Sequence, residues 1–241
     1  MTFYLIGTGL DKNSISADAL EVLKTCDKIY LENYTVNFPY SFEELEKELK
    51  IKFSELKRSA VEDESILEEA KTKKVALLVY GDSLSATTHI QLIISCKKQK
   101  ISYQVFHNSS IIIAIAETGL QLYKFGKTAS MPNWKEHTNK PTSFMNYIKD
   151  NLSIQAHTLI LTDIGLGIKD AISQLEESSL KTKISLPKKI IVISNAGTKK
   201  QKIFYNTSKN LSKKDIPMPF CLIIPSELHF IEEEALEELK E

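Results

Sequence analysis

Apolar residues come in short runs through the first half of the chain, and amphipathic stretches separate them. Phe3–Ile6, Lys28–Leu31, Val75–Tyr80 and Tyr103–Phe106 are short, mostly apolar and bounded by turn residues, which predicts strands. Between them, Ala17–Lys24 places Leu20 and Leu23 on one helical face. Ser41-Phe42-Glu43-Glu44 has the Ser-x-x-Glu form of a capping box and opens a charged helix to Lys50. Ile66–Lys71 and His89–Lys98 continue the helical pattern. Strand and helix in alternation predict a mostly parallel α/β sheet.

Beyond Gly126 strands become denser than helices, as in a mixed sheet. Thr142-Ser143 is placed to cap a helix running to Leu152, and Ile168–Glu177 and Ile231–Lys240 have helical spacing. His157–Thr162, Lys189–Ser194, Lys202–Tyr205 and Phe220–Ile224 have the pattern of strands. The change sets a boundary near Lys124–Lys127, dividing the chain into two α/β domains, residues 1–125 with a mostly parallel sheet and residues 126–241 with a mixed one. No internal repeat or low-complexity segment interrupts them.

Six of the eight glycines lie just past an apolar strand: Gly7 and Gly9, Gly81, Gly165 and Gly167, and Gly197. Glycine ends strands for conformational reasons alone. Open α/β sheets also bind ligands outside the carboxyl ends of their strands, so four such ends without bulky side chains together suggest a crevice walled by backbone.

Charge narrows the ligand. Lys+Arg and Asp+Glu are both 31 among 241 residues, so the formal net charge is zero and the chain lacks the long-range field of a general nucleic-acid binder. Arg58 is the single arginine, which excludes a forked multi-arginine phosphate clamp. Cys26, Cys96 and Cys221 are odd in number and without CxxC spacing, as expected of idle thiols in a reducing compartment. The histidines show no HxxxH or HExxH spacing, so no metal site is expected. The first residues lack a basic signal-peptide region, and the longest apolar run, Ile111 to Ala116, is far short of a membrane span. The expectation is a cytoplasmic protein.

Two nucleotide motifs fail on spacing. Gly7-Thr8-Gly9-Leu10 starts a dinucleotide fingerprint, but Lys12 stands where its third glycine is needed. Gly126-Lys127-Thr128 resembles the end of a phosphate-binding loop, but the position of its first glycine is Gln121. Gly81-Asp82-Ser83-Leu84-Ser85-Ala86-Thr87-Thr88-His89 is more specific. Asp82 could accept from a ligand's ammonium or hydroxyl groups, in a loop whose small residues leave room. Equally, the segment could be a plain strand-to-helix loop with Thr87 or Thr88 as N-cap. His107-Asn108-Ser109-Ser110-Ile111 repeats the arrangement after the next strand, with Ser110 as cap and ligand contact and His107 as a satisfied core or edge histidine in preference to a catalyst.

These segments, taken in order, resemble the diphthine synthases of the tetrapyrrole-methylase superfamily. Leu5-Ile6-Gly7-Thr8-Gly9-Leu10, Gly81-Asp82-Ser83-Leu84 with Ala86-Thr87-Thr88-His89, and His107-Asn108-Ser109-Ser110-Ile111 carry the likeness. So do Gly119-Leu120-Gln121-Leu122-Tyr123-Lys124-Phe125-Gly126-Lys127, Pro141-Thr142-Ser143-Phe144, His157-Thr158-Leu159, Ala196-Gly197 and Ile224-Pro225-Ser226-Glu227-Leu228-His229. Ser83 replaces the family's usual proline and Ser226 its usual glycine.

The resemblance implies two α/β domains with S-adenosylmethionine in the cleft between them, in a homodimer. It places cofactor contacts on Leu10, Asp82, Ser85, Ser110, Ile111, Thr162, Ala196 and Phe220. The implied reaction methylates the amine of a 3-amino-3-carboxypropyl group on a histidine of translation elongation factor 2. Attack on a sulfonium methyl expels a neutral thioether, so an unprotonated, well-aimed amine suffices and no catalytic residue is singled out. A tetrapyrrole or ribosomal RNA methyltransferase, or a catalytically idle cofactor-binding module, remain the alternatives.

Overall fold

A computed structural model describes residues 1–239. The chain divides into two compact units, Met1–Ile111 and a second beginning at Ile112. This division falls upstream of the Lys124–Lys127 boundary expected from sequence.

The first unit runs β1 (Thr2–Gly7), α1 (Ala17–Leu23), β2 (Lys28–Glu32), α2 (Phe42–Leu49), β3 (Ser54–Leu56), α3 (Arg58–Glu62), α4 (Ser65–Ala70), β4 (Lys74–Val79), α5 (Ile90–Gln99) and β5 (Tyr103–Phe106). The five strands are parallel in the order β3-β2-β4-β1-β5. Side chains alternate between the sheet faces, and both faces are covered, which is why β1 and β4 are apolar almost throughout. Phe3, Leu5, Val75, Leu77 and Val79 pack on one side with Leu67 of α4 and Leu92 and Cys96 of α5. Tyr4, Ile6, Ala76 and Leu78 pack on the other with Leu23 of α1 and Leu45 and Leu49 of α2. The adjacent strands β1 and β4 therefore send the chain to opposite faces, making their carboxyl ends a topological switch point.

The expected strands and helices of this half are present within a residue or two. The Ser41 cap is as expected: its hydroxyl accepts from Glu44 N while the Glu44 carboxylate accepts from Ser41 N. One expectation needs correction. Neither Thr87 nor Thr88 is the N-cap of α5; that position is His89, with no side-chain cap. Thr87 instead donates its hydroxyl to Ser83 O at 2.8 Å.

After a short turn, α6 (Ile111–Ala114), the second unit contains β6 (Ala129–Met131), α7 (Phe144–Ser153), β7 (Thr158–Thr162), α8 (Ile168–Thr182), β8 (Ile190–Ser194), β9 (Lys202–Asn206), α9 (Ser208–Leu211), β10 (Phe220–Ile224) and α10 (Phe230–Leu239). Its sheet is mixed, in the order β6-β7-β10-β8-β9, with β6 and β7 parallel and the other pairs antiparallel. Phe144, Ile148, Ile172 and Leu175 of α7 and α8 cover Ile160, Val192 and Leu222 of the sheet. Helix α8 extends to Thr182, beyond the Glu177 expected. Ser143 occupies the N-cap of α7 without a side-chain cap bond. The last position of the helix expected over Ile231–Lys240 lies outside the described residues.

A buried polar knot ties this unit together. Glu232 of α10 is fully buried, accepting from Gln121 N at 2.9 Å, His229 N at 2.8 Å and Lys124 Nζ at 2.5 Å. His157 Nδ1 accepts from Ser226 N at 2.9 Å, so the ring's proton sits on Nε2, 3.2 Å from Glu232 Oε1. Burial opposes ionisation of Glu232, but Lys124 and the backbone donors outweigh it and hold the carboxyl at about 2. Burial also lowers His157, keeping the ring neutral against the pull of Glu232.

Candidate active site

The switch point is built from three loops. At its base Gly9 and Gly81 exchange backbone hydrogen bonds, each N–H to the other's carbonyl at 3.0 Å. Gly9 has φ +75°, and a Cβ there would lie 2.5 Å from Ser14 Cβ, so side chains are excluded on two grounds. A Cβ on Gly7 would lie 2.6 Å from Gly81 O. Protein atoms, not open space, thus fill the places next to Gly7 and Gly9.

Asn108 buttresses the base, its amide donating to Gly7 O at 3.1 Å and Ser14 O at 2.9 Å. Above it stands Asp82, 8% exposed. Its Oδ1 accepts from Leu84 N at 2.9 Å and Ser85 Oγ at 3.2 Å. Its Oδ2 accepts from Asn108 N at 3.1 Å and lies 2.8 Å from His107 Nδ1. Burial works against the charge, but the Leu84 and Asn108 N–H groups and the His107 ring prevail and hold the carboxyl below its usual range. Protein donors therefore occupy all four of its strong acceptor directions. Asp82 joins the loops after β4 and β5, the second of which runs on to Ser110 and Ile111. Leu10 and Ser110 are 5% exposed, and Tyr80 Oη donates to Leu10 O at 3.0 Å.

A second buried cluster supports this loop from β2. His89 is 3% exposed, and its Nδ1 donates to Ser83 O at 3.1 Å. Its Nε2 lies 3.1 Å from Oε2 of the fully buried Glu32, whose other oxygen accepts from the Thr35 hydroxyl. Ser83 Oγ is buried and has no hydrogen-bond partner among the described residues. Glu32 was missed in sequence: it ends a strand like any polar residue, and its partner is far along the chain.

In the second unit, antiparallel pairing puts the carboxyl ends of β7 and β8 beside the start of β10. Phe220 pairs with Ser194, and Thr162 Oγ1 donates to Phe220 O at 2.8 Å. Ala196 follows β8 and is 6% exposed. Thr162, Ala196 and Phe220 therefore share one sheet edge. Next to Thr162, a Cβ built on Gly165 or Gly167 meets nothing within 4 Å, so this loop presents bare backbone to open space.

The other motif glycines are structural. A Cβ on Gly119 would lie 2.2 Å from Ala235 Cβ, and one on Gly126 would lie 2.1 Å from Asn151 Oδ1. Asn151 is fixed by bonds to Lys127 N, Lys127 O and Thr158 Oγ1, which accounts for Gly126-Lys127-Thr128 without any phosphate. Among the described residues no group of His, Cys, Asp or Glu side chains comes together to hold a metal, and no helix is long and apolar enough to cross a membrane. The free thiols of Cys26 and Cys96 are pushed up by burial to about 11.

The fold has counterparts among known proteins. The model of the tetrapyrrole (corrin/porphyrin) methylases matches residues 2–212, which defines the class as a methyltransferase. Diphthine synthase of Methanocaldococcus jannaschii is 38% identical over 254 residues, covering 98% of each chain. Diphthine methyl ester synthase of Schizosaccharomyces pombe is 35% identical over 265 residues, covering 97% of this chain and 93% of its own. A crystal structure of diphthine synthase matches with a TM-score of 0.90 at 32% identity, covering 100% of this chain and 96% of its own. The chain belongs to the tetrapyrrole methylase family and, within it, to the diphthine synthases, methyltransferases of diphthamide biosynthesis.

Proposed function

We propose that the methyl donor is S-adenosylmethionine and the acceptor the amine of a 3-amino-3-carboxypropyl group on a histidine of translation elongation factor 2. The observation that carries this reading is the Asp82-centred carboxyl edge of the first sheet. The β1/β4 switch point is polar and held in place by Asp82, whereas the Gly165–Gly167 loop offers bare backbone. A donor whose cationic sulfonium joins polar nucleoside and amino-acid ends suits surfaces made of placed polar groups and accessible backbone. Leu10, Asp82, Ser85, Ser110 and Ile111 of the first unit, and Thr162, Ala196 and Phe220 of the second, are its proposed contacts. Asp82 is assigned the task of ordering Ser85 and the His107–Ile111 loop, since its own acceptor directions are taken up by the protein.

The donor supplies an electrophilic methyl group with a neutral leaving group. The chain's task is then to aim an unprotonated amine and exclude water, and positioning alone supplies a large share of such a rate. The zero formal net charge and single arginine favour a protein acceptor recognised by a few placed groups over a nucleic acid tracked by its phosphates. The working form is proposed to be a cytoplasmic homodimer without membrane or nucleic-acid partners. Mass spectrometry of the modified histidine peptide tests the assignment. Incubation with S-adenosylmethionine is expected to add methyl groups to the aminocarboxypropyl arm, and an unchanged peptide mass refutes the acceptor.

A further inference from the structure

The geometry points to His107 as the base that takes the proton from the incoming ammonium, with Asp82 as the residue that positions it. The inference rests on the proposed amine acceptor and adds the group that makes that amine nucleophilic.

His107 differs from the other paired histidines of the chain. His89 and His157 are 3% and 0% exposed and have both ring nitrogens engaged within the protein. The His107 side chain is 69% exposed, yet one of its nitrogens is held by a carboxylate that is 9% exposed. Asp82 Oδ2 lies 2.8 Å from Nδ1 and accepts its proton. A carboxylate accepts and cannot donate while ionised, and Asp82 is kept ionised by its backbone donors. The proton of neutral His107 is thereby fixed on Nδ1. Nε2 is left with its lone pair, and no protein partner holds it among the described residues. Among those residues Asp82 is also the titratable group in contact with the ring.

The position matters as much as the tautomer. His107 directly follows β5 and precedes Ser110 and Ile111, on the carboxyl edge where donor contacts are proposed. Asp82 was built into that edge by four hydrogen bonds, one of which goes to this ring. An orienting carboxylate, an imidazole with a free outer nitrogen and an adjacent ligand edge form the base half of an acid–base site.

The step balances as follows. His107 Nε2 takes one proton from the R–NH3+ acceptor, giving R–NH2 and an imidazolium paired with Asp82. The amine lone pair forms the new N–C bond as the C–S bond of the sulfonium breaks, and the S–C electron pair stays on sulfur as a neutral thioether. The product is R–NH2CH3+, and the imidazolium returns its proton to solvent. One proton is released per methyl transferred, and each further methylation of the same nitrogen repeats the deprotonation.

The test compares wild type, His107→Gln and His107→Ala, all at an exposed position where folding is not at stake. Glutamine keeps an N–H donor for Asp82 but offers no base. In the ligand-free wild type, nitrogen NMR of the imidazole is expected to show the Nδ1–H tautomer for His107. Calorimetry should give an S-adenosylhomocysteine affinity within about twofold of wild type for His107→Gln, which keeps a donor to Asp82, and a weaker one for His107→Ala, which does not, so transfer is compared at saturating cofactor. Single-turnover methyl transfer to the aminocarboxypropyl acceptor should fall about a hundredfold in both variants. Its rate should climb with pH towards the range of the free amine, whereas the wild-type rate levels off earlier. The Nε2–H tautomer, restoration by glutamine, or a loss in His107→Gln traced to weaker cofactor binding overturns the inference. Absence of transfer by the wild type would instead refute the proposed acceptor, with the tautomer still read independently.

Discussion

Asp82 and His107, 25 positions apart in sequence, meet at 2.8 Å between Oδ2 and Nδ1 on the carboxyl edge of the first sheet. The contact joins the loop after β4 to the loop after β5, and Asn108 N donates to the same oxygen. One carboxylate therefore ties together the two loops at this edge.

Removing that charge should weaken cofactor binding through the loops. Asp82→Asn keeps the shape of the side chain but cannot accept from all four donors. A charge-assisted hydrogen bond is worth about 1.5–3 kcal/mol, so S-adenosylhomocysteine affinity should drop about ten- to a hundredfold by calorimetric titration. Wild-type affinity in the variant would contradict this role.

Glu232 should matter for stability instead. Glu232→Gln leaves Lys124 and the Gln121 and His229 N–H groups without their anionic acceptor in a fully buried position. The expected loss is about 3 kcal/mol in denaturant unfolding of the second unit. A loss below about 1 kcal/mol would show that the knot contributes little.

Acid should destabilise the same region in two stages. Both His157 and Glu232 have folded-state values below their unfolded ones, so the unfolded chain binds more protons and stability falls as pH falls. His157 begins to contribute below about 6.5, its ordinary value, and Glu232 between about 4.5 and about 2. Thermal melting from about pH 8 to about pH 2 should show a falling midpoint, with the part below about pH 5 reduced in Glu232→Gln. Equal acid sensitivity of the two proteins would contradict the assignment.

Two glycine substitutions should separate fold from ligand surface. In Gly126→Ala the new methyl meets the fixed Asn151 amide, at a cost of about 1–3 kcal/mol. In Gly167→Ala the methyl enters open space at an extended φ of −72°, so stability should be unchanged or rise by about 0.4–1 kcal/mol. Cofactor affinity should fall in Gly167→Ala if that backbone faces the donor. Thermal melts and titrations of both variants check the pair.

What the sequence made legible follows from burial. β1, β4, β7, β8 and β10 are continuous apolar runs because both sheet faces are covered or nearly so, and their ends are marked by glycine or polar residues. β3 has an exposed Ser-Glu-Leu sequence that carries no strand pattern, and three-residue β6 is too short to show one. Asp82 stood out by its place after a strand. Two of its donors, His107 and Asn108, did not, because they come from another loop. Glu232 and His157, 75 positions apart, look like an ordinary helix carboxylate and an ordinary strand-end histidine until the fold brings them together. The segment from Gly119 to Lys127 signalled family membership without revealing that its work is to anchor α10 and accommodate Asn151.

The central claim is the acceptor, and methyl incorporation from labelled S-adenosylmethionine tests it most directly. Elongation factor 2 carrying the aminocarboxypropyl histidine, the unmodified factor, a porphyrin precursor and small-subunit ribosomal RNA would be compared side by side. A site built to hold a polar acceptor discriminates strongly against partners lacking its hydrogen-bonding groups. The prediction is label in the modified factor alone; equal labelling of the unmodified factor, or preferential labelling of the porphyrin or RNA, would contradict it.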